Sequence, residues 1–545
     1  MPRTTVGQYL IHRLEELGIR HIFGIPGDYV LGFYDLIIAS KMKHVGTCTE
    51  IGAGYAADAY ARVNGLGCLC ITYCVGGLNA INAVAGAYAE KSPVIVISGA
   101  PGIGERARSP LLHHQVRDYE TQLEIYQKVT VAAAALNNPI DAPRLIDQTL
   151  AAAIRHKRPV YLEIPRDMVD VPCIAPQPFK AVLPRSDTKV LREVIAETVA
   201  MLRRARRPAI LGGVEIHRYG LQEHLLKLVA HTGYPVAATI LGKSIISELH
   251  PQYVGVYEGA MGPDSTRHPI EDADALLILG AFMTDINLGV FTAKLDPAHT
   301  INASSERIHI GYQHFDGVNL RDFIEHLTAA NLGRPRKKLQ SKSPPAPIKL
   351  RPKAAVTVNR LFERINTFLA PDDVVICDIG DSLFGALDLT IHRKTEFLSP
   401  AYYTSMGFAV PAALGAQVGK KNRRPVVFVG DGAFQMTCQE LSTIVRSRLN
   451  PIICVLNNKG YTTERFIREG PYNDINNWSY HLWPQIVGEG WGCEVRTEGE
   501  LERALERARQ NTHCFSILNI HLDKMDSSEA LQRLGRRLGK RIGKK

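Results

Sequence analysis

Nowhere in its 545 residues does the chain hold 18 consecutive apolar residues, so no segment reads as a membrane-spanning helix. Its first residues, MPRTTVGQYLIHRLEELG, lack the apolar stretch of a secretory signal, and we expect a soluble, cytoplasmic protein. Cysteine is present but unorganised: none of the ten falls in a CxxC spacing, and Cys68, Cys70, Cys74, Cys377 and Cys454 sit inside apolar, strand-like runs. A disulfide framework and a paired-cysteine zinc site are thereby disfavoured, leaving reduced thiols that act as small hydrophobes. Disorder is excluded as well, because 45% hydrophobic and 22% charged residues are globular values. At roughly 100–200 residues per domain, the length predicts about three domains, each with its own core.

The chain has a formal charge of +10, from 64 Lys and Arg against 54 Asp and Glu, which at face value suggests an anionic partner. Two segments hold the excess. Arg334 to Lys353 carries eight bases and no acid, and Leu531 to Lys545 carries seven and no acid. Without them 49 bases face 54 acids, so the body of the protein is slightly acidic. The basic charge therefore gives no support to nucleic-acid binding, and no nucleic-acid partner is expected.

From Arg20 to Pro101, short apolar runs (HIFGIPGD, HVGTCTE, GCLCITYC, PVIVISGAP) alternate with longer helical patterns. Continuously apolar strands separated by helices indicate parallel sheets covered on both faces. A second series runs from Arg207 (RPAILGGVEIH, PVAATIL, ADALLILGAFMTD, HTINASSERIHIG). A third starts near Ala354 (VVICDIG, PVVFVGDG, PIICVLNN, CFSILNIHL). The expected fold is α/β, with three doubly wound parallel-sheet domains. The Pro- and Lys-rich stretch at 334–353 reads as an extended linker between the second and third.

In such sheets ligands meet the carboxyl ends of the strands. Asp28 closes GIPGD, Glu50 closes GTCTE, and His113-His114 falls in the loop after PVIVISGAP, so all four can share one rim. A lone strand-end carboxylate is more often a helix cap; two acids with a histidine pair on one edge point instead to a site. The sharpest signal is Gly430-Asp431-Gly432 after VVFV, with Asn457-Asn458 after IICVL. Asp431 and Asn458 lie 27 residues apart, one strand–helix–strand crossover, which puts them on neighbouring parallel strands. Mg2+ takes hard oxygen ligands of this kind, Gly460 can add its carbonyl, and the helix opening at Ala433 turns its N-terminus toward a diphosphate.

These residues resemble the thiamine diphosphate (ThDP)-dependent 2-oxo acid decarboxylases, the family of pyruvate, indolepyruvate and phenylpyruvate decarboxylases. The likeness covers about residues 4–525. It rests on IPGD at 25–28, TEIGAGYAADAYAR at 49–62, NAVAGAYAEKSPVIVISGAP at 82–101, LLHHQ at 111–115, SMGF at 405–408, GDGAFQMTCQE at 430–440, NNKGYTTE at 457–464 and GPYNDINNW at 470–478. The resemblance implies a pyrimidine-binding domain (1–175), a middle domain (188–333), the linker (334–353), a diphosphate-binding domain (354–525) and a basic tail (526–545). It further implies a homodimer with active sites across its interface, and two such dimers assembled to a homotetramer.

By the same resemblance, Asp431, Asn458 and Gly460 would hold Mg2+ against the diphosphate, with Gly430, Gly432, Ala433, Asp381 and Ser382 also at the cofactor. Glu50 would bond the pyrimidine N1′, Met406 would wedge the cofactor bent, and the Thr404 carbonyl would accept from its 4′-amino group. Asp28, Glu50, His113, His114 and Glu464 would be catalytic, decarboxylating a 2-oxo acid to an aldehyde and CO2 through a ThDP enamine. Leu383, Thr463 and Ile467 would line the substrate pocket. Thr463 and Leu383 stand where pyruvate-specific relatives carry Ile and Trp, so a larger acid is expected, of the phenylpyruvate, indolepyruvate or 2-oxoisovalerate type. The alternatives are a pyruvate decarboxylase proper or a ThDP-dependent carboligase. The tail, with Leu531, Leu534, Leu538 and Ile542 at helical spacing, suggests either an interfacial amphipathic helix or a segment over the active-site entrance.

Overall fold

The computed structural model describes residues 4–179, 185–333, 343–392 and 395–542, with side chains as far as Gly535. Strands β1 (His21–Gly24), β2 (Lys43–Gly46), β3 (Gly67–Ile71), β4 (Val94–Ala100), β5 (Ala132–Ala135) and β6 (Val160–Pro165) form a parallel sheet in the order β2-β1-β3-β4-β6-β5. Strands β3, β4 and β6 are buried along their whole length, as expected for strands covered on both faces.

The middle sheet contains β7 (Pro208–Gly212), β8 (Val236–Ala238), β9 (Tyr253–Val256), β10 (Ala275–Leu279), β11 (Thr300–Ala303), β12 (Ile308–Ile310) and β13 (Gln313–Phe315), ordered β9-β8-β7-β10-β11-β12-β13. Here the structure departs from a purely parallel plan. The run HTINASSERIHIG, one strand by pattern, folds back at Ser304–Arg307, where the Ser304 hydroxyl donates to the Arg307 carbonyl, so β12 and β13 add as antiparallel strands.

The third sheet is parallel again: β14 (Val374–Cys377), β15 (Glu396–Leu398), β16 (Pro425–Gly430), β17 (Ile452–Asn457), β18 (Trp491–Val495) and β19 (Ser516–His521), ordered β15-β14-β16-β17-β19-β18.

Eight helices matter for the site: α1 (Glu50–Asn64), α2 (Val75–Ala89), α3 (Asp381–Ala386), α4 (Ala409–Gly419), α5 (Asp431–Thr437), α6 (Glu440–Arg446), α7 (Thr462–Ile467) and α8 (Glu529–Ile542). Thr49 caps α1 by accepting from the Gly52 amide. Helix α1 packs on α4 so closely that a Cβ on Gly415 would stand 1.9 Å from the Ala56 carbonyl oxygen. Alanines at 53, 56, 57, 412, 413 and 416 permit this approach, and one hydrophobic core runs through both outer sheets. The buried Lys91–Glu215 ion pair, 2.5 Å long, ties the first sheet's domain to the middle one.

Both basic segments make contacts with the third domain. The part of the 334–353 stretch that is described does not float free: the Arg351 amide donates to Glu498, and the Lys349 carbonyl accepts from Arg360. Residues 334–342 lie outside the described residues. The C-terminal segment is helical despite its glycines, and Ala530, Leu531 and Leu534 are buried in the core of the third domain. Gly535 lies against Phe466 of α7. Side chains 538 and 542 lie outside the described set. No helix among the described residues is long and apolar enough to cross a membrane.

Candidate active site

Strands β1 and β2 are adjacent and parallel, with Gly24 opposite Gly46, and the loops beyond them carry Asp28 and Glu50. The loop after β4 brings His113 and His114 to the same edge. His113 Nε2 lies 2.9 Å from Asp28 Oδ2, and the imidazoles meet edge to face at 4.7 Å. Tyr29, fully buried, stacks on His113 and donates its hydroxyl to the His113 carbonyl at 3.1 Å. His114 has a left-handed backbone (φ 67°), and its Nδ1 is buried without a hydrogen-bond partner. A non-glycine residue kept in that region is typical of functional sites.

Glu50 opens α1, and its Oε2 accepts from Asn79 Nδ2 at 2.6 Å. The loop before it is held from the third domain by Glu440, which accepts from the Cys48 and Thr49 amides at 3.1 Å. Burial pushes the Glu440 carboxyl above its ordinary range. Glu440 belongs to a quoted motif, but its partners lie nearly 400 residues away, so sequence reasoning assigned it no role.

On the third sheet, β16 and β17 pair in register, with Gly430 opposite Leu456, so Asp431 and the Asn457–Gly460 loop emerge side by side. Asp431 Oδ1 accepts from the Gly432 amide at 2.8 Å and Oδ2 from the Gly460 amide at 3.2 Å. Asp431 is 1% exposed, and burial pushes its carboxyl up to about 6. Asn458 is 8% exposed, and its Oδ1 has no hydrogen-bond donor. Arg465 fixes this loop by donating to the Asn458 and Lys459 carbonyls. At Gly460 (φ 149°) a Cβ would stand 2.0 Å from the Asn473 carbonyl oxygen, so only glycine fits. A buried carboxylate beside a buried, donorless amide oxygen is an oxygen donor set that suits a hard divalent cation.

The segment carrying Thr404 and Met406 is shaped by Asp378, another residue sequence reasoning missed. Its carboxylate accepts from the Gly407 and Ala409 amides at 3.1 and 2.9 Å. Thr404 is left-handed (φ 58°), and Met406 packs partly buried on the shared core. Ser382 donates to the Asp378 and Ile379 carbonyls. The Asp381 side chain accepts from the Ser528 amide at 2.9 Å and from the Ser528 hydroxyl, so it also anchors the C-terminal segment. Leu383 is 1% exposed within the third core, whereas Thr463 and Ile467 on α7 keep free surface and Glu464 is exposed. Among the described residues, no hydrogen bond or ion pair joins the Asp28–His113–His114 group or Glu50 to Asp431.

Three family profiles match in chain order. Residues 4–125 match the thiamine pyrophosphate enzyme N-terminal TPP binding domain, 195–329 the central domain and 378–520 the C-terminal TPP binding domain. The chain belongs to the thiamine diphosphate-dependent 2-oxo acid decarboxylase family. It is 36% identical to an alpha-keto-acid decarboxylase of Mycolicibacterium paratuberculosis, covering 98% of this chain and 97% of that one. Against an indole-3-pyruvate decarboxylase of Azospirillum brasilense the identity is 35%, over 97% of each. A probable pyruvate decarboxylase of Schizosaccharomyces pombe is 33% identical, over 98% and 95%. As a family member the chain is a ThDP-dependent enzyme acting on 2-oxo acids. The names of these relatives divide between pyruvate and larger substrates at similar identity.

Proposed function

We propose that this decarboxylase converts an aromatic, branched or longer-chain 2-oxo acid to the aldehyde one carbon shorter and CO2, with its cofactor anchored through Mg2+. The observation that carries the metal assignment is the buried, donorless Asn458 Oδ1 next to the buried Asp431 carboxylate. Asp431, Asn458 and the Gly460 carbonyl would be its protein ligands. Thiamine diphosphate, when bound, would supply a nucleophilic carbon for the 2-oxo group and an acceptor for the electron pair that CO2 leaves behind.

The chain's own groups do the rest. Glu50, oriented by Asn79, would hold a proton against the pyrimidine ring. Met406, on the segment clamped by Asp378, would press the cofactor from the side. Asp28, His113, His114 and Glu464 would bind the substrate carboxylate and deliver the proton that replaces it. Thr463 favours a larger acid: its hydroxyl lies 3.4 Å from where a Cβ on Gly380 would stand, and so short a side chain leaves space that a bulky residue would fill. Leu383, buried in the core, supports this through packing only.

Catalysis across a homodimer interface fits the half-exposed state of Asp28 and His113 in the single chain. Exposed apolar side chains close to the site residues, Leu31, Val75 and Met436, suit a buried contact of this kind. Light scattering of the ThDP-loaded protein should then give a dimer or tetramer.

The deciding experiment is kcat/KM for pyruvate, 2-oxoisovalerate, phenylpyruvate and indolepyruvate with ThDP and Mg2+ added. A larger acid should exceed pyruvate by at least tenfold, and pyruvate at the head of the series would overturn the preference.

A further inference from the structure

Asp28 has a second charged neighbour that no motif marks. Arg166 stands at the end of β6, where its amide donates to the Ala100 carbonyl at 3.0 Å. Its Nη1 lies 3.6 Å from Asp28 Oδ2, the oxygen that also meets His113. Its other edge is gripped by Glu105, which accepts from both Nε and Nη2, and the guanidinium carbon sits 5.0 Å over the Tyr29 ring. Glu105 is itself fixed, accepting from the Gly102 amide at 2.8 Å, and the neighbouring Asp167 accepts from the Ile103 and Gly104 amides. Glu105 holds Arg166 firmly in its cationic form, and Arg166 holds the Glu105 carboxyl below its usual range.

A surface ion pair at this distance contributes little to stability, so Asp28–Arg166 is not needed to hold the fold. Its location, three strands from β1 and aimed at the Asp28–His113 contact, gives it another use. We propose that Arg166, steered by Glu105, is a positioning residue that orients the Asp28 carboxylate toward His113 and sets the field in which that pair holds its proton.

The inference rests on the reading above, that Asp28 and His113 face the substrate. The groups facing Asp28 are His113 and His114 from the loop after β4, Arg166 from the end of β6 with Glu105 behind it, and the neighbouring phenol of Tyr29. Removing a positive charge 3.6 Å away makes every proton in this group bind more tightly.

The test uses the full-length enzyme loaded with ThDP and Mg2+. In Arg166→Met, both limbs of the kcat/KM–pH profile should move to higher pH by about half to one unit, together with a lower rate at the optimum. Arg166→Lys, which keeps the charge, should restore the wild-type limbs. Glu105→Gln, which strengthens the net positive field, should move them the opposite way. A purely structural role would lower kcat or raise KM with the limbs unmoved, and that outcome overturns the proposal, as does a shift that lysine fails to correct. Asp28→Asn separates the two levels: wild-type turnover in that variant would overturn the reading of the site itself, whereas unmoved limbs in Arg166→Met would overturn only the role of Arg166.

Discussion

Replacing Asp431 with asparagine should weaken cofactor retention while making the cofactor-free protein relatively more stable as pH rises. Burial raises the Asp431 carboxyl from an ordinary 3.8 to about 6. Because the folded value lies above the unfolded one, the folded state holds the proton more tightly. The site's contribution to stability is therefore full below about pH 4 and is lost as pH climbs through 6. Linkage over that window gives a wild-type penalty of about 1 kcal/mol at pH 4.5 and about 3 kcal/mol at pH 7.5. Asparagine does not titrate, so it escapes this penalty.

The substitution has its own cost, since Nδ2 cannot accept from the Gly460 or Gly432 amide, and one buried N–H left unpaired costs about 1–3 kcal/mol. That cost is nearly independent of pH. The difference in stability between variant and wild type should thus shift in the variant's favour by about 2 kcal/mol from pH 4.5 to 7.5, whatever the lost hydrogen bond contributes. Thermal denaturation of both apoproteins at the two pH values measures it, and gel filtration with ThDP and Mg2+ at pH 7.5 measures retention. A stability difference that does not change with pH would refute the upward shift of the buried Asp431 carboxyl. Cofactor retention equal to wild type would refute its role as a ligand.

Three further perturbations probe other parts of the site. Glu50→Gln should abolish turnover with unchanged circular dichroism, and a near-wild-type rate would remove Glu50 from the mechanism. Thr463→Ile should lower kcat/KM for the larger acids relative to pyruvate by about 10- to 200-fold, as read from the substrate panel, and an unchanged ratio would take Thr463 out of the pocket. Deleting residues 529–545 should expose the core that Leu531 and Leu534 cover and uncover Phe466 of α7, reducing both melting temperature and turnover; unchanged turnover would show that α8 has no part in the active site.

Much of the fold can be read along the chain, because parallel sheets make their strands continuously apolar and their crossovers long. The pairing of β16 with β17 follows from the spacing of Asp431 and Asn458, since one crossover of 27 residues leaves a single neighbouring position. The antiparallel edge β11–β13 was not legible, because the turn at Ser304–Arg307 is set by a short-range hydroxyl bond inside what reads as one strand. The docking of α8 was hidden for a different reason. Its lysines and arginines dominate the composition, while only Ala530, Leu531 and Leu534 among the described side chains determine where it packs.

The sequence by itself determined the chemistry at hand: which acids, histidines and amides stand at strand ends, and which of them share a neighbouring crossover. Such features depend on local pattern and on the near-obligatory handedness of parallel connections. Only the tertiary structure decided what surrounds them. Arg166 meets Asp28 because β6 lies three strands from β1, Glu440 reaches the Glu50 loop because α1 and α4 share small residues, and Asp381 turns to Ser528 because α8 folds back over the third domain. Each contact joins residues more than a hundred positions apart, and their meeting is set by sheet order and helix packing, which no local stretch of sequence encodes.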